Sequence, residues 1–166
     1  IYSERDEATG EVTTVFLTAK HCVTNDKAVQ YLDLPIYQKG RVVKRDRYTA
    51  KVRGKHFQHD LALVELIDRQ TWFPVKAKVA PVDAIPAMGA PVITVGYPLG
   101  MQLTVTSGLF GSLETIDYPQ TGTEYYRATP DLVGGNSGGA MYRVTATGDY
   151  ELIGVSSAGH RMFSFV

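Results

Sequence analysis

The chain has 166 residues, enough for one compact unit or two small packed barrels and too few for a full-size domain with a separate binding module. Seventeen basic residues balance seventeen acidic ones, and no run of five like charges occurs, which argues against a nucleic-acid or membrane-surface partner. A single cysteine, Cys22, excludes an internal disulfide and makes the chain compatible with a reducing compartment. The opening IYSERDEATG carries charges where a signal peptide needs an apolar core, and no apolar run reaches the length of a membrane span. The expectation is therefore a soluble chain without membrane insertion, its compartment undetermined.

Short runs rich in Val, Thr, Ile, Leu and Tyr alternate with turn residues, and no long stretch keeps a helical period, so an all-β protein is expected. In chain order the predicted strands are Val12 to Thr18, Val29 to Leu32, Tyr48 to Arg53, Leu61 to Ile67 and Pro91 to Gly96. Leu103 to Phe110, Glu124 to Ala128, Gly139 to Val144, Glu151 to Val155 and Met162 to Val166 follow. ATGE at Ala8 to Glu11 and ATGD at Ala146 to Asp149 read as hairpin turns, each with a glycine free to take positive φ. The basic stretch Lys39 to His56 interleaves Val and Tyr with charges, as a solvated strand face does. Three prolines between Asp68 and Pro86 interrupt the pattern and suggest a division: a first β-rich half over 1–72, a connector over 73–86 and a second half over 87–166. A site built from both halves would lie in the cleft between them.

Three stretches carry chemistry together. LTAKHCV places His21 just after an apolar strand, HDLALVEL places Asp60 at the head of a strand apolar on both faces, and VGGNSGGAM places Ser137 among four glycines. A serine hydroxyl is a poor nucleophile unless a base takes its proton. Histidine suits that task, since its ordinary pKa lies near 6.5. A carboxylate beside the imidazole fixes its tautomer and stabilises the imidazolium. Glycine loses the most freedom on folding, so four around one hydroxyl imply a backbone shape that side chains would block. That shape is expected to aim the N–H groups of Gly135 and Ser137 at the oxygen that gains charge in acyl transfer, as an oxyanion hole. His56 and His59 beside Asp60 raise a metal reading, but no further His or Cys stands at ligand spacing, so no metal and no cofactor are expected.

In this order, TAKHC, HDLAL and GNSGG resemble the trypsin-like, chymotrypsin-fold serine proteases. GYPLGMQLTVTSGLFGSL, Gly96 to Leu113, is similar to the Deg/HtrA branch in particular. The resemblance implies two packed antiparallel β-barrels with the active site in the cleft between them. It implies His21 as general base and acid, Asp60 as its orienting partner and Ser137 as nucleophile. It further implies that Ser157, Ala158 and Gly159 in IGVSSAG form a pocket wall that pairs with substrate backbone, Ser157 beside Asp60. Asp131, six residues before Ser137, falls where a trypsin-type pocket carries the acid that binds Arg or Lys; a turn residue is the competing reading.

Two departures matter. Residue 136 is Asn where activated trypsin-like enzymes have an Asp that pairs with a new amine, so no activating salt bridge from Ile1 is expected. Cys22 lacks a disulfide partner and is expected to be a small buried apolar residue. Only 20 residues precede His21 and 29 follow Ser137, which fits either a piece of a longer chain or a minimal form, with an edge strand supplied by a missing segment or by another copy in an oligomer. The favoured function is a serine endopeptidase acting on protein or peptide substrates through an acyl-enzyme. The rivals are a protease-fold scaffold with an unaligned triad and a dedicated maturation protease of viral or phage type.

Overall fold

The computed structural model describes residues 1–23, 25, 29–74, 76–116, 123–130, 132–160 and 163–165. Among these residues the elements are strands and two single 3-10 turns, with no α-helix. The strands are β1 (Tyr2–Arg5), β2 (Val12–Ala19), β3 (Gln30–Gln38), β4 (Arg41–Lys55), β5 (Leu61–Leu66) and β6 (Pro91–Gly96). They continue as β7 (Thr104–Ile116), β8 (Thr123–Ala128), β9 (Ala140–Val144), β10 (Tyr150–Val155), β11 (Ala158–His160) and β12 (Phe163–Phe165). They make two antiparallel sheets, one from each half, in the orders β1-β2-β5-β4-β3 and β10-β9-β6-β7-β8-β12-β11.

The first sheet closes over Val23, Ala50, Ala62, Val64 and Leu66, with Phe16, Tyr48 and Phe73 packed on them. Phe73 meets both other rings edge to face, so the start of the expected connector belongs to the first core. The second core gathers Val92, Phe110, Ala128 and Met141. Leu66 and Met141 are the largest apolar side chains among the fully buried residues. Burying each is worth about 1.5–3 kcal/mol over leaving it in water. The connector itself is tied down: Lys78 and Ala80 pair with Leu152 of β10, bonded as Leu152 N–H to Lys78 at 2.7 Å and Ala80 N–H to Leu152 at 2.9 Å. Glu151, buried beside it, is held by Lys78 at 2.9 Å and by Arg143.

Several strands differ from expectation for identifiable reasons. β3 runs through Pro35 because it is an edge strand, where a missing N–H costs no ladder bond. β4 extends back to Arg41 although its first half is charged. Arg47 grips Asp33 of β3 through two bonds of 2.7 and 2.8 Å, and Lys44 pairs with Asp46 at 2.6 Å. β7 continues past Phe110 to Ile116 through a bulge at Gly111, where register with β8 shifts. Both glycine hairpins form, with Gly10 at φ 73° and Gly148 at φ 83°.

Candidate active site

The register between β2 and β5 builds the first part of the site. Thr18 faces Ala62 and Ala19 faces Leu61, so the chain just beyond Ala19 lies beside the residue just before Leu61. The Lys20 N–H bonds to the Asp60 carbonyl at 3.0 Å, and β2 then ends in a 3-10 turn over Lys20–Cys22 that lifts His21 off the sheet. The 39 residues between His21 and Asp60 are an excursion through the β3–β4 hairpin, which pairing returns to its starting point.

Asp60 is the centre of the polar network. Its Oδ1 accepts the His21 backbone N–H at 2.8 Å, and its Oδ2 accepts both the His21 Nδ1–H and the Ser157 hydroxyl, each at 2.6 Å. Partial burial pushes its pKa up, but the donors on Ser157 and His21 and the His21 charge outweigh that and hold the carboxyl below its ordinary 3.8. The charge is felt nearby: burial first, then Asp60, raises the Tyr125 phenol. Asp60 and Ser157 also border an apolar cavity of about 450 Å³ between the halves, lined further by Leu17, Leu61, Leu113 and Ile153. With both carboxylate oxygens committed to His21 and Ser157, Asp60 does not serve the His56–His59 pair, whose rings sit 4.6 Å apart.

Ser137 comes from the second half, on the loop before β9. Gly138 has φ 82°, and a Cβ there would strike the Thr18 hydroxyl, so this glycine lets the serine loop lie against β2. Gly135 has φ 96° and lies flush on the Tyr97 carbonyl. Gly134 has no positive φ, and a Cβ there would meet nothing within 4 Å, so one of the four glycines is not sterically required. The Gly134 carbonyl accepts the Leu99 N–H at 2.6 Å. In a trans peptide the N–H points opposite to the C=O, which turns the Gly135 N–H away from the Leu99 loop. Among the described residues neither Gly135 N–H nor Ser137 N–H donates to a protein acceptor. The Ser137 hydroxyl donates to the Ser157 carbonyl at 3.4 Å, and among the described residues no hydrogen bond joins it to His21, whose side chain is 50% exposed.

The site residues expected from sequence are thus partly gathered. His21, Asp60 and Ser157 form one bonded unit and Ser137 reaches that unit through Ser157, while Gly135 lies on the serine loop against the Tyr97 carbonyl. Ala158 and Gly159 open β11 and pair with Phe165 and Ser164. Asp131 lies outside the described residues. Cys22 corrects an expectation: it is exposed, not buried, because the 3-10 turn that lifts His21 carries its neighbour outward too. Sequence reasoning passed over Tyr37, whose hydroxyl accepts the Leu103 N–H at 3.0 Å across the two halves. A contact 66 residues apart leaves no local pattern to find.

A family model for the trypsin-like peptidase domain matches residues 5–155. The chain belongs to the trypsin-like peptidase family. Within that family it is similar to a probable periplasmic serine protease do/HhoA-like of Haemophilus influenzae, 35% identical over 67% of the chain and 23% of that protein. A probable periplasmic serine endoprotease DegP-like of Buchnera aphidicola is 28% identical over 93% of the chain and 30% of its own length. Periplasmic serine endoprotease DegP of Escherichia coli is 30% identical over 68% and 22%. The chain spans less than a third of these curated relatives. The solved structure of the HtrA-type protease AlgW with decapeptide superposes with a TM-score of 0.67, covering 98% of this chain and 46% of that one at 20% identity, which fits the two-barrel trypsin-like fold. The relatives' printed names say periplasmic, which fits poorly with a reducing compartment; no helix of the described residues is long and apolar enough to cross a membrane.

Proposed function

We propose that this trypsin-like peptidase is a serine endopeptidase that cleaves peptide bonds in protein substrates through an acyl-enzyme. The observation that supports the reading best is the His21–Asp60–Ser157 unit standing over a serine whose loop leaves two N–H groups uncommitted. With Nδ1–H held on Asp60, the other ring nitrogen of His21 is the acceptor that takes the Ser137 proton as Oγ bonds to the substrate carbonyl carbon. Charge forming on the carbonyl oxygen is met by the N–H groups of Gly135 and Ser137, each contributing about 3–4 kcal/mol to the transition state. His21 then gives the proton to the leaving amine, and water hydrolyses the Ser137 ester by the reverse transfer. The Ser137 hydroxyl, which donates to the Ser157 carbonyl at 3.4 Å, turns to His21 when substrate arrives, since catalytic hydrogen bonds often form fully only in the substrate complex.

Ser157, Ala158 and Gly159 are proposed to line the substrate channel, and Asp131 to favour Arg or Lys at the cleaved bond through a charge-assisted hydrogen bond. Periplasmic location and peptide substrates are carried over as proposals from the names of the relatives and of the AlgW complex. The rival, a scaffold in which the triad never aligns, is favoured only by the absent Ser137–His21 bond.

Labelling with a fluorophosphonate probe and locating the adduct by mass spectrometry decides between them. An adduct on Ser137 that disappears in His21→Ala is expected. Folded protein without an adduct would mean the scaffold. Cleavage of a peptide library by wild type and Asp131→Ala extends the experiment: loss of Arg and Lys preference is expected, and an unchanged profile would take Asp131 out of the pocket.

A further inference from the structure

The oxyanion peptide is held by a loop that is itself held from the other half of the molecule. The loop runs from Tyr97 to Leu103 and contains a 3-10 turn over Pro98–Gly100, with Gly100 N–H on the Tyr97 carbonyl at 3.1 Å and Met101 N–H on Pro98 at 2.9 Å. Two of its groups grip the Gly134–Gly135 peptide: the Leu99 N–H bonds the Gly134 carbonyl, and the Tyr97 carbonyl packs against the Gly135 Cα. Leu99 does this at φ 53°, a left-handed conformation that costs a non-glycine residue of order 1 kcal/mol or more unless surroundings enforce it. Something must therefore hold the loop in shape.

The structure shows what does. β3 and β4 make a long hairpin closed by Lys39 (φ 49°) and Gly40 (φ 74°), a two-residue turn of the kind whose twist suits antiparallel strands. Just before it the register shifts between Ile36 and Tyr37, with Val43 of β4 as the extra residue of a bulge, and Tyr37 stands on β3 beside that irregularity and reaches the second half. There the Tyr37 hydroxyl accepts the Leu103 N–H at the end of the loop and meets the Tyr97 phenol at its start. Burial, then the bond and charge from Tyr37, push the Tyr97 pKa up to about 12, so the Tyr97 phenol stays neutral at working pH.

We propose that Tyr37 is a positioning residue for catalysis: it clamps both ends of the Tyr97–Leu103 loop, and the loop fixes the Gly134–Gly135 peptide with the Gly135 N–H free for the oxyanion. The inference rests on the reading of Gly135 and Ser137 as the oxyanion hole. It makes the β3–β4 hairpin an input to the site, since displacing its tip releases Leu99 from its left-handed conformation and the Gly134 carbonyl from Leu99.

The test uses the whole chain, with a fluorophosphonate and p-nitrophenyl acetate as probes. Tyr37→Phe keeps the ring and removes the acceptor. Its labelling rate and kcat should fall roughly five- to tenfold, the effect of losing one supporting hydrogen bond and well short of the hundred- to thousandfold for losing an oxyanion donor itself. KM should stay within about twofold and the pH midpoint of labelling should not move, because His21, Asp60 and Ser157 are untouched. A labelling rate equal to wild type overturns the proposal, as does a slowed rate in which KM and the pH midpoint shift together, the mark of general loosening. If Tyr37→Phe does not fold, Tyr97→Phe releases the start of the loop while the Leu103 bond stays; a severalfold slower labelling rate with KM and pH midpoint unchanged is expected, and a rate equal to wild type overturns the proposal. Failure of the underlying reading looks different: wild type itself then gives no Ser137 adduct, and both fall.

Discussion

Asp60→Asn separates the catalytic arrangement from the stabilising one more sharply than any other change. The amide keeps the shape of the carboxylate but offers one acceptor oxygen and one donor NH₂. With its oxygen at the Oδ2 position, the NH₂ would face the His21 backbone N–H, donor against donor. The other orientation avoids this: the oxygen still accepts the His21 N–H now found at 2.8 Å, while the NH₂ points at His21 Nδ1 and Ser157 Oγ, both at 2.6 Å. Every contact survives there, with Ser157 turned from donor to acceptor, so only the charge assistance is lost and stability should drop by about 1 kcal/mol. The ring pays differently. Nδ1 must now accept, its proton moves to the far nitrogen, and the base that should receive the Ser137 proton is already protonated. A trapped tautomer of this kind costs about 10⁴ in kcat, equivalent to roughly 5.5 kcal/mol of barrier. The assay pairs urea unfolding with fluorophosphonate labelling and activated-ester turnover on the same preparation. A variant that keeps kcat within a hundredfold of wild type would refute the tautomer argument, and one that loses more than about 3 kcal/mol of stability would refute the assignment of orientation.

Two further outcomes follow from the same contacts. Gly138→Ala, at φ 82° and against Thr18, should cost about 1–3 kcal/mol in urea unfolding, whereas Gly134→Ala, in open space without a positive φ, should stay within about 0.5; equal costs would show that the serine loop does not lie against β2 as described. Because the Asp60 pKa is held below its ordinary 3.8, its contribution to stability is fully present above about pH 4 and is lost as pH falls through the folded value. The stability gap between wild type and Asp60→Asn should therefore narrow below pH 4 in urea titrations, and parallel acid limbs for the two proteins would refute the shift.

What the sequence discloses here follows the reach of each interaction. Strand β6 is read to its exact ends because PVITVG alternates between a buried and a less buried face, and the hairpin glycines are read because positive φ is a local demand. β1 escapes because YSER buries only Ser3, which bonds Thr14 at 2.8 Å, and a polar strand stabilised by its neighbour has no pattern of its own. The three motifs name candidate residues but not how they stand: nothing in GGNSGG says that a Cβ fits at Gly134 while Gly135 and Gly138 leave no room for one, since the difference lies in Tyr97 and Thr18, brought in from elsewhere. Tyr37 carries this furthest. Its value comes from a register shift in one hairpin, a left-handed leucine in a distant loop and an amide between them, and each looks like an isolated irregularity until the fold joins them. A catalytic serine can be found by its neighbours in sequence; the residues that hold its oxyanion site in shape are neighbours only in space.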